Sequence, residues 1–165
     1  MKNYLFIFLS FLFLFACDEE IGDSCSVNSD CSTKGDRICD TASPGGYCTI
    51  EGCTASSCPS GSRCIAFFPV ESLFYTCQPD TEDLLDSENS TDDCSQDEIC
   101  LQNGFCAPKI YEKRYCMKKC SGNGDCRSGY ECRVSGVHGS QKVPGEGENI
   151  FNAGTTKFCA PGDLP

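Results

Sequence analysis

The sequence predicts a small, disulfide-rich fold of loops and short β-hairpins, with little helix, built from four tandem four-cysteine modules in two halves. Three observations predict it. Seventeen cysteines are present, and the sixteen that follow Cys17 fall into consecutive groups of four. From Cys17 to Pro165 there are 149 residues but only 23 Leu, Ile, Val and Phe. That is too little apolar surface to offset an ordering cost of about 1–2 kcal/mol per residue. Finally, Gly, Ser, Asn and Asp crowd the intervals between cysteines, where their side chains and backbone freedom favour tight turns over long periodic elements. Disulfides, at about 2–4 kcal/mol each, take over the work of the missing core.

The N-terminal region carries one charge, Lys2, then an apolar run from Tyr4 to Phe15 broken only by Ser10. This suits the apolar part of an export signal and is short for a spanning helix, which needs roughly 20 apolar residues. The run ends Leu14-Phe15-Ala16-Cys17, followed by Asp18, Glu19 and Glu20. Leu three residues before Cys, with a small residue directly before it, resembles the lipobox of bacterial lipoproteins. That resemblance implies cleavage after residue 16, acylation of Cys17, and attachment to a membrane through the acyl chains on Cys17. Residues 1–16 are then a signal peptide and 17–24 a lipidated tether. A plain export signal with free secretion is the alternative.

The four groups are Cys25-Cys31-Cys39-Cys48, Cys53-Cys58-Cys64-Cys77, Cys94-Cys100-Cys106-Cys116 and Cys120-Cys126-Cys132-Cys159. Their openings align as CSVNSDC, CTASSC, CSQDEIC and CSGNGDC, and the fourth cysteine usually follows an aromatic residue or Thr. Self-similarity of this kind marks a repeat array whose units are too small to bury a core alone. The Tyr/Phe-Cys segments around the fourth cysteines are the expected strand pieces. Zinc is the rival use for clustered cysteines, but no two are separated by only two residues, and the sole histidine, His138, lies in a Gly-rich stretch. No metal and no cofactor is expected.

Four cysteines allow three pairings, and spacing alone does not choose among them. The spacing C-x5-C-x5-C followed by a longer gap and a fourth cysteine resembles the Dickkopf-type N-terminal cysteine-rich domain. That resemblance implies first-to-third and second-to-fourth bridges: Cys25–Cys39, Cys31–Cys48, Cys53–Cys64, Cys58–Cys77, Cys94–Cys106, Cys100–Cys116, Cys120–Cys132 and Cys126–Cys159. It rests on cysteines and glycines and carries no activity with it.

Between the second and third groups lies DTEDLLDSENSTDD, residues 80–93, without Lys or Arg. Self-repulsion and the lack of apolar periodicity make it a solvated linker; the Gly and terminal Glu of an EF-hand calcium loop are missing. The linker divides the chain into half 25–79 (modules 25–48 and 53–77) and half 94–161 (modules 94–116 and 120–159).

Three segments depart from the cysteine skeleton. The densest apolar run holds Phe67, Phe68, Phe74 and Tyr75, and is either a partner-binding patch or the little core of its half. The segment 109–119 mixes Lys113 and Arg114 with Tyr115 and suits a protein or glycan partner, or the chain's own acidic linker. The interval from Arg133 to Phe158 is Gly-rich and is expected to be mobile.

Net charge is −11, which disfavours nucleic acid as a partner. No phosphate-binding loop, G-x-S-x-G or H-E-x-x-H motif occurs, so no enzyme is expected. The expected function is that of a membrane-anchored extracytoplasmic lipoprotein of the cell envelope. Its head is a non-catalytic binding or structural module facing the periplasm or cell surface. The alternative is a secreted, disulfide-framed protease inhibitor or receptor-binding protein.

Overall fold

Four antiparallel strand pairs repeat one arrangement in the computed structural model, which describes residues 19–79, 94–148 and 153–162. In each pair two cysteines stand directly opposite one another: Cys39 faces Cys48, Cys64 faces Cys116, Cys100 faces Cys106 and Cys132 faces Cys159. None of these facing cysteines is bonded to its opposite. Each instead bridges to a cysteine upstream, so that every one of these strand pairs is clamped from outside by two disulfides.

The molecule is thus small and made mostly of strands and loops, with eight disulfides and little helix. One four-residue helix, α1 (Asn28–Cys31), is present among the described residues. The strands are β1 (Ile38–Asp40), β2 (Tyr47–Thr49), β3 (Ser62–Phe67), β4 (Glu98–Cys100), β5 (Cys106–Pro108), β6 (Lys113–Lys118), β7 (Tyr130–Val134), β8 (Ser140–Lys142) and β9 (Lys157–Pro161). Pairs β1–β2, β4–β5 and β7–β9 are two-stranded, and β6-β3-β8 form a three-stranded sheet. Tyr47-Cys48, Tyr115-Cys116 and Phe158-Cys159 lie in strands, whereas Thr76-Cys77 makes only an isolated bridge, Thr76 to Phe105.

The bridges are Cys25–Cys39, Cys31–Cys48, Cys53–Cys64, Cys94–Cys106, Cys120–Cys132 and Cys126–Cys159, together with Cys58–Cys116 and Cys77–Cys100. The last two replace the expected Cys58–Cys77 and Cys100–Cys116. They also redraw the groups. Cys53-Cys58-Cys64-Cys116 is one quartet, and Cys77-Cys94-Cys100-Cys106 is a complete quartet nested inside it. Within every redrawn quartet the first cysteine bonds the third and the second bonds the fourth. Six of the eight expected bridges form, and the other two join the expected second and third modules, which are therefore not closed units.

The physical cause lies at Pro69. Without an N–H, proline cannot continue a central strand. The chain therefore leaves the sheet after Phe67 and turns through a single 3-10 turn at Val70–Ser72. Tyr75-Thr76-Cys77 is carried away from β3. The vacant side of β3 is taken by β6, in a six-residue register running from Ser62 opposite Lys118 to Phe67 opposite Lys113. This long pairing buries Ile65, Ala66 and Met117. Lengthening the loop costs little, because closure entropy grows only logarithmically.

The expected division into separable halves is corrected by the same contacts. Strand β3 of the first half pairs with β6 and β8 of the second, and two bridges cross between them. The interval from Arg133 to Phe158, expected to be mobile, supplies β8, whose Gln141 is buried against β3. The tether is shorter than expected: Ile21 is buried, and the Gly22 N–H donates to the Cys48 carbonyl at 2.9 Å. Cys17, the signal residues 1–16 and the acidic run 80–93 lie outside the described residues.

The first and last quartets share a further device. Asn28 Oδ1 accepts the Cys39 N–H at 2.9 Å, and Asn123 Oδ1 accepts the Cys132 N–H at 2.9 Å. Asp30 accepts the N–H groups of Ser26 and Val27; Asp125 accepts those of Ser121 and Gly122. Each Asn thus fixes the third cysteine's strand, and each Asp satisfies the turn that opens the quartet. These paired hydrogen bonds hold both aspartates below the ordinary carboxylate range.

Candidate functional site

The three segments that depart from the cysteine skeleton meet at one place. Strand β3 brings Phe67, β6 brings Lys113 and Tyr115 beside it, and the β7–β9 hairpin supplies Arg133, Val134, Phe158 and Ala160. Between them lies a groove of about 770 Å³, lined further by residues 68–71 and by the turn carrying Val137 and His138. The Phe67 ring anchors it, with the Phe158 ring edge-on at 5.8 Å and the Tyr115 ring tilted at 6.3 Å. A second hollow of about 370 Å³ adjoins it, since Phe67, Tyr115 and Ala160 line both; its far wall is Tyr47, Thr49, Met117 and Pro44.

The turn at 137–140 is held by local chemistry. Ser140 N–H donates to the Val137 carbonyl at 3.0 Å, while His138 and Gly139 both have positive φ, 49° and 66°. Two left-handed central residues make a type I′ turn. Glycine is required at 139: a Cβ there would stand 2.2 Å from the Phe68 carbonyl oxygen, and the Gly139 carbonyl accepts the Phe68 N–H at 2.8 Å. His138 is thereby presented over the groove, and among the described residues it makes no hydrogen bond or ion pair.

The polar atoms around the groove are largely occupied. Ser140 Oγ donates to Val137 O, Thr49 Oγ1 to Cys116 O, and Ser43 Oγ to Asp40. The outer edge of β6 is closed as well: Gly52 N–H donates to Arg114 O, Cys116 N–H to Ile50 O, and Lys118 N–H to Tyr47 Oη. Burial pushes the Tyr47 hydroxyl well above its ordinary value, and that of Tyr115 also rises, by desolvation and then by the carboxylate of Glu51. Both phenols stay neutral. Among the described residues the charged side chains lining the groove are Lys113 and Arg133 against one carboxylate, Glu71.

Of the expected partner-binding residues, Phe67, Phe68, Lys113 and Tyr115 line the groove. Arg114 does not; it alternates to the other side of β6 and pairs with Glu112 at 2.6 Å. Phe74 and Tyr75 also lie apart, 78% and 70% exposed. Their backbone is nevertheless fixed, because Tyr75 O accepts the Cys106 N–H and the Cys77 N–H donates to Gly104 O. Tyr111, an aromatic of the 109–119 segment, also lines the groove, whereas Arg133, Val134, Val137 and Phe158 are groove residues that the sequence did not offer as binding candidates. Ile65 and Phe67 share one face of β3, and Lys113 and Tyr115 one face of β6; this period-two spacing is the signal that could have placed the first two strands together.

The four clusters of three cysteine sulfurs that have metal-like spacing are all composed of bridged cysteines. Among the described residues no helix is long and apolar enough to cross a membrane. The eight bridges fit an oxidising environment. No family model matches the chain, and no curated or solved protein is detectably similar to it.

Proposed function

We propose that this chain is a lipid-anchored protein of the cell envelope whose disulfide-clamped head binds a partner without catalysing a reaction. The observation that carries the binding reading is convergence: three segments far apart in sequence, each outside the cysteine skeleton, together form one apolar groove of about 770 Å³. That volume lies within the range of ligand sites, roughly 300–1,000 Å³. Anchoring is supported by Leu14-Phe15-Ala16-Cys17, which resembles a lipobox, and by eight bridges, which suit an exported chain. One acyl chain binds a membrane marginally and two bind it stably.

Metabolic labelling with a palmitate analogue tests the anchor. The protein should take the label, and Cys17→Ser should abolish it and release the head. Label that survives this substitution rejects the lipobox reading.

A secreted inhibitor is the second reading, favoured by one observation. Phe74 and Tyr75 are the kind of exposed aromatic pair on a pinned backbone that binds with little ordering cost. On this reading the head acts free of the membrane and the aromatic pair, not the groove, meets the target.

A further inference from the structure

We infer that the groove takes a single-chain amphiphile with an anionic head, namely a long-chain fatty carboxylate. This rests on the binding reading above and names the ligand class for it. Two features select the class. The first is charge. The chain carries a net charge of −11, yet among the described residues the groove is lined by Lys113 and Arg133 against Glu71, with His138 as a further polar tip; Arg133 also faces Glu131 at 3.9 Å, and Asp40 lines the adjoining hollow. Arg133 is engaged by Glu131 and the Gly162 carbonyl, which leaves Lys113 as the uncommitted cation at the rim, and its ammonium attracts an anion and repels a cationic amphiphile. Lys113 is exposed at the start of β6 and makes no hydrogen bond or ion pair with any described residue, so it is free to meet a carboxylate.

The second feature separates a hydrocarbon chain from a peptide. Every peptide residue brings an N–H and a C=O that must be satisfied once water is excluded. Here the hydroxyls of Ser140, Thr49 and Ser43 already donate to the protein's own oxygens. The β6 edge, where an added strand would pair, is closed by residues 47–52. A polymethylene chain makes no such demand. The hollow beyond Phe67, Tyr115 and Ala160 extends the apolar path toward Tyr47 and Met117, which gives a linear chain somewhere to run.

The test uses the full chain carrying Cys17→Ser, folded in a thiol redox buffer, with the eight pairings verified by peptide mapping. Displacement of a fluorescent polyene fatty acid is measured with palmitate, hexadecanol, hexadecylamine and an acidic aromatic peptide. Palmitate should displace the probe at one site per chain, hexadecanol at least tenfold more weakly, and hexadecylamine more weakly still. Lys113→Glu should weaken palmitate at least tenfold and leave hexadecanol unchanged. Val137→Glu, on the exposed turn, should weaken both. Equal binding of palmitate and hexadecanol, or palmitate binding indifferent to both substitutions, overturns the inference. Displacement by the peptide but not by palmitate overturns it too, yet leaves the groove as the binding face. Anchoring is read separately from the label on Cys17, so failure here and failure there are distinguishable.

Discussion

Tyr47 and Tyr130, from the first and last quartets, lie ring against ring with centroids 5.4 Å apart and planes inclined by 29°. The Arg127 guanidinium caps the stack, 4.1 Å from the Tyr130 centroid and 5.8 Å from that of Tyr47. Its Nη2 donates to the carbonyls of Pro44 and Gly46 and to Tyr130 Oη. This joint locks the two ends of the repeat to each other, and its Tyr47 and Pro44 also line the groove's second hollow.

Arg127→Ala should therefore destabilise the oxidised protein by about 2 kcal/mol, the scale of lost charge-assisted hydrogen bonds with partners left unsatisfied. Arg127→Lys should recover only part of it, because an ammonium can reach the two carbonyls but has no planar face to lie over the Tyr130 ring. Urea unfolding of the three proteins measures this; a loss below about 0.5 kcal/mol for Arg127→Ala would show that the stack stands without its cap.

A protease cut anywhere in residues 80–93 should leave the two fragments covalently joined. Both Cys58–Cys116 and Cys77–Cys100 span that interval. A non-reducing gel should show one band and a reducing gel two. Fragments that part without reductant would restore the consecutive grouping of cysteines and remove the nested quartet.

Acid should weaken the outer quartets through Asp30 and Asp125. Each carboxylate titrates lower in the folded protein than in the unfolded chain, where the ordinary value is about 3.9. A depressed folded value contributes stability that is complete above the unfolded value and is lost as pH falls through the folded one. Thermal unfolding followed from neutral pH down to about 2 should show this fall, and Asp30→Asn with Asp125→Asn should flatten it. A curve of unchanged slope would mean that the caps do not couple to folding.

Gly139→Ala should cost more than Gly147→Ala. Both glycines have positive φ, so both substitutions meet the left-handed penalty of about 1–2 kcal/mol. Only at 139 does the new Cβ meet backbone, the Phe68 carbonyl oxygen at 2.2 Å; at 147 nothing stands within 4 Å. The extra loss should appear both in the midpoint of unfolding and in ligand displacement, because the displaced turn carries Val137 and His138. Equal losses would show that the turn yields freely.

The cysteine skeleton was legible in the sequence because local chemistry repeats. CSVNSDC and CSGNGDC carry the Asn and Asp that cap their own quartets, and these are the two groups that close on themselves. CTASSC and CSQDEIC lack that pair, a difference visible in the alignment, and they are the two groups that exchange partners. What the spacing concealed was the fourth cysteine of the second quartet. The interval from Cys64 to Cys77 resembles a closing gap in length, and only Pro69 argues that the strand stops. The groove was hidden for a related reason. Phe67, Tyr115 and Phe158 are each noticeable alone, but their meeting depends on β3–β6 and β7–β9 pairings between residues far apart in the chain, which carry no local signature.

Nesting also dictates an order of events when the chain is made. Cys58 is synthesised 58 residues ahead of its partner Cys116, and the whole inner quartet appears in between. An oxidant working in order of appearance meets Cys53, Cys58, Cys64 and Cys77 as four consecutive thiols. Any bond it forms among them other than Cys53–Cys64 is wrong. Such a bond is released only by attack of another thiolate on one of its sulfurs. Recovery of this fold in quantity therefore depends on a shuffling activity or a thiol redox buffer, and a purely oxidising host should accumulate scrambled isomers.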